Sequence, residues 1–206
     1  MISMIVLRLL FFTFFFLSND SRAQTASRQN RKVLVIAYYS GNATEIDKYE
    51  TEKLTHIIYS FALLRGNRLH VSTAAGTILK KLVSLKSKNR SLNVQLAFGG
   101  WGGCKTCPKV FSTETGRNEF AISVKEILSK YQLDGIDIDW EYPAIQGPIG
   151  HHFSAADKQH FTRLIETLRR ELGNDKEISF AAGSFSEFLY QSIEWKKVVP
   201  LVNRVH

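Results

Sequence analysis

Apolar residues along this chain follow two different periods, and the alternation between them gives a first outline of the fold. Runs rich in β-branched and aromatic residues, KVLVIAYYS (32–40), THIIYSFALL (55–64), LNVQLAFGG (92–100) and EISFAAGS (177–184), have strand character. Between them apolar residues recur every three or four positions, which predicts helices. Ile78, Leu79, Leu82 and Leu85 make one such stripe, and Phe120, Val124, Ile127, Leu128 and Tyr131 a second. Phe161, Leu164, Ile165, Leu168 and Leu172 make a third, with Ser154 and Asp157 spaced like a capping box before it and Gly173 where a stop belongs. FLYQSIEWKKVV (188–199) predicts one more helix, GGWGGCKTCPKVFS (99–112) reads as loop, and LVNRVH (201–206) as a sixth strand cut off at its beginning.

Strands alternating with helices predict βα units and a parallel sheet. Continuously apolar strands ending on polar residues or glycines suit a (β/α) barrel, whose active site lies at the C-terminal rim. A doubly wound sheet would carry a phosphate-cradling glycine loop after its first strand, and YYSGNATEI (38–46) has a single glycine there. An eight-stranded barrel takes about 250 residues. With 206 residues, the expected fold class is an α/β (β/α)8 TIM barrel truncated to about its first five βα units, over residues 32–206.

The N-terminal segment stands outside this pattern. Arg8, the apolar run Leu9–Leu17 and the small-x-small sequence Ser21-Arg22-Ala23 predict a signal peptide over residues 1–23, followed by a polar leader over 24–31. The apolar run is shorter than the roughly 20 residues a spanning helix needs, so no stable membrane insertion is expected after cleavage. The predicted location is therefore secreted, extracellular or periplasmic. The formal charge of +8 is spread along helix-like segments without a basic-aromatic stripe, so a solvated surface is favoured over a nucleic-acid partner. Cys104 and Cys107 form a Cys-x-x-Cys. A redox motif or half a zinc site are the alternatives, and a local disulfide is preferred because the chain is expected to be exported.

One stretch does not fit a simple strand. LDGIDIDWEYP (133–143) sets Asp134, Asp137, Asp139 and Glu141 among apolar residues. Residues two apart share a strand face, so Asp137, Asp139 and Glu141 line one side and Ile136, Ile138 and Trp140 the other. Asp134 has the opposite parity and reads as structural. Three acids converging on a buried side cannot all ionise comfortably, so a proton is shared along the row, which is what a general acid needs at neutral pH. A calcium or magnesium site and a solvated strand face are the competing readings. Metal loops carry Gly and Asn rather than Ile-x-Ile-x-Trp, and no metal or other cofactor is expected.

DGIDIDWEYP is similar to the Asp-x-x-Asp-x-Asp-x-Glu signature of glycoside hydrolase family 18, the chitinases and chitinase-like proteins, from Asp134 to Glu141 and on into Tyr142-Pro143. IAYYSG, THIIYSFA, LAFGGWGG and EISFAAGS resemble the family's first, second, third and fifth strands in order. The resemblance implies a monomeric (β/α)8 barrel acting on chitin or chitooligosaccharides. It makes Glu141 the general acid, Asp139 the group that orients the substrate's acetamido N–H, and Asp137 the partner sharing a proton with Asp139. The sugar's own acetamido oxygen then serves as nucleophile, and configuration is retained. Tyr38, Phe61, Gly100, Trp101 and Tyr142 match substrate-binding positions, aromatic platforms suiting the apolar faces of sugar rings; core packing is an equal reading for Phe61. His151 and His152 read as a solvated pair. A non-cutting lectin and an endo-β-N-acetylglucosaminidase acting on glycoprotein glycans are the alternative functions. Two departures are visible. Ala97 stands where the family commonly has a serine beside the middle aspartate, and the family's sixth-strand Met-x-Tyr-Asp is not among these residues.

Overall fold

The computed structural model describes residues 33–206; the expected signal peptide and polar leader lie outside the described residues. The parallel strands are β1 (Ile36–Tyr39), β2 (His56–Arg65), β4 (Asn93–Gly99), β5 (Gly135–Asp139), β6 (Glu177–Phe180) and β7 (Arg204–Val205), in spatial order β1-β2-β4-β5-β6-β7. Helices α1 (Thr73–Ser84), α4 (Glu114–Tyr131) and α5 (Asp157–Leu172) return the chain between them. This is a parallel half-barrel, in keeping with a truncated (β/α) barrel. Three strand spacings separate β1 from β5, about 14 Å in a flat sheet. Yet the Tyr38 hydroxyl on β1 donates a 2.8 Å hydrogen bond to Asp137 on β5. The sheet must curl for these two groups to meet.

Strand parity divides the sheet into two faces. Ile57, Val94, Leu96, Phe98, Ile136, Ile138, Ile178 and Phe180 join one buried cluster with Leu79 and Leu82 of α1, Phe120, Val124 and Leu128 of α4, and Phe161, Leu164, Ile165 and Leu168 of α5. That layer between sheet and helices is the core, and removing its apolar surface from water is the main stabilising contribution. Residues of the other parity, among them Ile58, Gln95, Ala97, Asp137 and Ser179, are also buried but stand outside that cluster, on the concave side.

The helices begin and end on local chemistry. Ser72 Oγ accepts from Ala75 N at the start of α1, and Thr113 Oγ1 accepts from Gly116 N at the start of α4. α5 stops at Gly173, whose φ is 64°. Only half of the expected capping box forms: the Asp157 carboxylate accepts from Ser154 N at 2.7 Å, while no side chain caps the first turn from the other direction.

Three local expectations are corrected. Residues 99–112 are not simply loop, because they hold the short helices α2 (Gly100–Gly103) and α3 (Cys107–Phe111). Residues 188–199 are not one helix. A π-turn at Phe188–Ser192 gives way to extended Ile193 (φ −125°, ψ 136°) before α6 (Trp195–Val198). The break lets Phe188 and Trp195 both pack inward, with Trp195 6.0 Å from Phe180 and 6.2 Å from Phe188 between ring centroids. Finally, β2 runs one residue past its expected end and turns at Gly66 (φ 61°) into β3 (Arg68–His70), an antiparallel hairpin not foreseen from the sequence.

Gly99 closes β4 with φ 117°, and a Cβ there would collide with the Asp139 carbonyl oxygen on β5. Gly99→Ala is therefore expected to destabilise the fold by about 2 kcal/mol or more, combining a disallowed φ with a backbone clash. Denaturant unfolding of the variant measures this; an unchanged midpoint would show that β4 and β5 are not held so closely at their C-terminal ends.

Candidate active site

The acid row begins inside β5 and continues past it. β5 ends at Asp139, so Glu141 sits on the loop that leaves the rim. Asp137 is fully buried: Oδ2 accepts from the Tyr38 hydroxyl at 2.8 Å and Oδ1 from Ser179 Oγ at 2.5 Å. His206 Nε2 lies 3.9 Å from Oδ1. Asp139 and Glu141 are half-buried, and Asp139 Oδ1 and Glu141 Oε2 are buried atoms without a hydrogen bond. Their partners Ile136, Ile138 and Trp140 are buried in the helix-side core.

The electrostatics follow from crowding. Burial, then the charge of Glu141, then that of Asp137 push the Asp139 carboxyl up to about 7. Burial alone raises the Glu141 carboxyl. Both groups thus hold a proton at a higher pH than an ordinary carboxylate. The Tyr142 phenol is raised by burial and then by Glu141 and Asp139, and the Tyr38 phenol by burial and then by Asp137. Both tyrosines therefore border the acids as neutral hydrogen-bonding groups.

Asp134 lies away from the row. Its carboxylate accepts from Val94 N at 2.7 Å and from Lys86 Nζ at 2.5 Å, and its backbone carbonyl accepts from Glu177 N. It ties β4, β5 and β6 together at their N-terminal ends. Of the aromatic candidates, Trp101 is 70% exposed on α2. Phe61 is exposed and packs against Gly100, where a Cβ would approach its ring to 3.1 Å. Tyr142 meets Phe185 and Phe188 edge-on. The peptide bonds Ser60–Phe61, inside β2 at its register shift, and Glu141–Tyr142, just past the end of β5, are cis.

Trp101 and Tyr142, with Gln146, Gly147, Pro148 and Ile149, line a hollow of about 520 Å³. Two of its lining residues are aromatic, and Tyr142 follows Glu141 directly in the chain. A larger hollow of about 610 Å³ is lined by residues including Ala37, Tyr39, Tyr49 and Ile57, and none of the three acids lines it. His151 is half-buried and His152 exposed. Cys104 and Cys107 are joined in a buried disulfide that links the end of α2 to the start of α3. Among the described residues, no cluster of three His, Cys, Asp or Glu side chains is arranged to hold a metal ion. No helix there is long and apolar enough to cross a membrane.

Two polar residues, one touching the row and one behind it, do not stand out in the sequence. Ser179 is the register partner of Asp137 on β6, and Ala97 its register partner on β4. A hydroxyl absent on one flank is thus present on the other. Gln95 stands behind Ser179, with Oε1 3.3 Å from Ser179 Oγ. Their signal was parity: Gln95 and Ser179 are polar positions between apolar neighbours in otherwise buried strands.

The comparisons with known proteins agree with this geometry. A family model described as glycosyl hydrolases family 18 matches residues 34–206. An endochitinase of Manduca sexta is 32% identical over 164 residues, covering 71% of this chain and 28% of its own. The chitinase domain of the spore coat protein CotE from Clostridium difficile superposes with a TM-score of 0.79 at 31% identity, covering 88% of this chain and 51% of that one. A family 18 N-acetylglucosaminidase from Paenibacillus barengoltzii superposes at 0.75, with 31% identity, 84% of this chain and 52% of that one. The chain therefore spans about half the length of these solved structures and under a third of the endochitinase.

Raising the folded-state pKa of a carboxyl has a definite sign for stability. From the ordinary aspartate value up to about 7, the folded Asp139 retains a proton that the unfolded chain has released. Asp139 thus makes stability fall as pH rises through that window. Denaturant unfolding at several pH values from 4 to 8 is expected to show this decline, and Asp139→Asn, which has no proton to lose, to flatten it. Parallel curves for the two proteins would count against the raised carboxyl.

Proposed function

The chain belongs to the glycosyl hydrolases family 18, and from that premise we propose that it carries the catalytic acid row of a secreted chitinase cleaving β-1,4-linked N-acetylglucosamine polymers. The observation that carries the reading is the pair of raised carboxyls at Asp139 and Glu141, whose buried oxygens have no protein partner, beside a hollow with aromatic walls. Buried polar atoms without partners are rare in native proteins and point to a function.

In this mechanism Glu141 donates its proton to the glycosidic oxygen as the bond to C1 breaks. The acetamido carbonyl oxygen of the same sugar attacks C1, so the enzyme supplies no nucleophile. Asp139 accepts the acetamido N–H and holds that oxygen beneath C1, and its negative charge stabilises the oxazolinium ion as positive charge develops. Glu141, now a carboxylate, removes a proton from the attacking water, which restores the acid and gives net retention. Asp137 takes up the proton that Asp139 gives away when Asp139 must carry charge. Trp101 and Tyr142, which line the hollow, offer flat apolar faces for sugar rings. The name of the similar Manduca sexta protein, endochitinase, points to the same substrate class.

The gene product that contains this chain is the protein to assay. Turnover of a fluorogenic chitobioside is expected, with Glu141→Gln lowering kcat by about 10²–10⁴-fold and leaving chitin binding intact. Undiminished turnover in that variant would refute Glu141 as the acid. Tight chitin binding without product would mean a lectin, and release of glycans from a high-mannose glycoprotein in preference to chitin would mean an endo-β-N-acetylglucosaminidase.

A further inference from the structure

Behind the acid row the concave face holds a second chain of polar groups that the mechanism above leaves unused. Ser179 Oγ lies 2.5 Å from Asp137 Oδ1 and 3.3 Å from Gln95 Oε1. Both Ser179 and Gln95 are fully buried. The Gln95 amide nitrogen donates to Asn93 Oδ1 at 3.0 Å and to Glu177 Oε2 at 2.5 Å, so both of its N–H bonds are committed and its oxygen is left toward Ser179. Glu177 in turn binds Arg204 and lies 3.3 Å from His56 Nε2. The amide is locked by this backing and cannot flip without losing two hydrogen bonds.

A hydroxyl has one proton and can accept as well as donate. When Asp137 is a carboxylate, Ser179 donates to it. When Asp137 holds a proton, its O–H donates to Ser179 Oγ, and the Ser179 proton rotates to Gln95 Oε1. Every buried donor then has an acceptor in both states, and neither state carries the cost of an orphaned group. We propose that Ser179, backed by Gln95, is a positioning pair that lets Asp137 alternate between holding and releasing the proton it exchanges with Asp139. The proposal rests on the chitinase reading for its catalytic meaning. The proton Asp137 gains is the one Asp139 loses, so the pair passes on no net proton. Ala97 presents only a methyl on the other flank, which leaves Tyr38 and Ser179 as the hydroxyls at this carboxylate.

The groups facing Asp137 are Tyr38 from β1, Asp139 and Glu141 from its own segment, His206 after β7, and Glu177, His56 and Arg204 through Gln95. Two imidazoles, His56 and His206, stand among these groups, so the test must read carboxyls alone. In protein labelled with carboxyl-¹³C aspartate, NMR follows the acid row from pH 3 to 9, the row being treated as one coupled unit. Ser179→Ala removes a donor to the anion and should raise the row's proton affinity about tenfold, the scale of one charge-assisted hydrogen bond. Gln95→Leu removes the acceptor of the protonated state and should lower that affinity. Ser179→Thr should restore the parent curve. On chitobioside the pH profile of kcat should move in the same two directions, with KM little changed.

Opposite shifts are the signature, since loss of packing alone would not give the two variants different signs. Shifts of one sign, or none in variants with the parent's circular dichroism, would overturn the pair. If Gln95→Leu does not fold, Gln95→Met removes the same acceptor with an unbranched side chain. A parent without hydrolysis would end the chitinase reading while the NMR curves still decided the pair. Hydrolysis abolished by Glu141→Gln with unshifted curves would end the pair alone.

Discussion

Asp137 has no exposure to water, yet both of its oxygens are held by hydroxyls from other strands, Tyr38 across the curled sheet and Ser179 on the neighbouring one. A buried carboxylate loses its hydration and must recover it from donors. Here the donors come from β1 and β6, so the same two hydrogen bonds that satisfy Asp137 also close the sheet's curvature around it. The position of Asp139, one step along the strand, follows from this anchor. Its carboxyl rises to about 7 because burial, then the neighbouring charge of Glu141 and then that of Asp137, disfavour its anion.

The two-residue period of a strand lets one short segment serve packing and chemistry together. Ile136, Ile138 and Trp140 seal β5 against the helices, and with that side committed, the acids have only the concave side. A one-residue slip would bury the acids in the aliphatic layer and expose the isoleucines, so the core enforces the register on which the site depends. Asp134, of the other parity, works at the far end, where Lys86 and the backbone of Val94 fix where β5 starts. Gly99 and Gly100 perform the corresponding task at the rim, where the β4 backbone touches Asp139 and the Phe61 ring lies over the turn.

Much of this was legible in residue order because the responsible forces are local. The helical stripes of α1, α4 and α5, the glycine stop at Gly173 and the parallel strands follow from periodicity and end chemistry. The acid row follows from parity together with the cost of burying like charges. Most of what escaped is non-local, the hairpin at Gly66 being the exception. That hairpin leaves little trace in residue order because its second strand is three residues long and mostly polar. Residues 188–199 keep a helical pattern but break at Ile193, and Trp195 then packs against both Phe180 and Phe188. Ser179 and Gln95 have unremarkable side chains whose meaning comes from the strand beside them.

The sequence by itself determined which residues face which way within each element, since side-chain direction depends only on backbone period, and it carried the acid signature that marks the family. Only the tertiary structure decided which groups meet between elements. Register between strands far apart in the chain is set by the packing of the whole helix layer, and it brings Ala97 and Ser179 to the two flanks of Asp137, where Ser179 supplies the hydroxyl. The curl of the sheet, a collective result of strand twist and helix packing, brings Tyr38 to the same carboxylate across 99 positions of sequence.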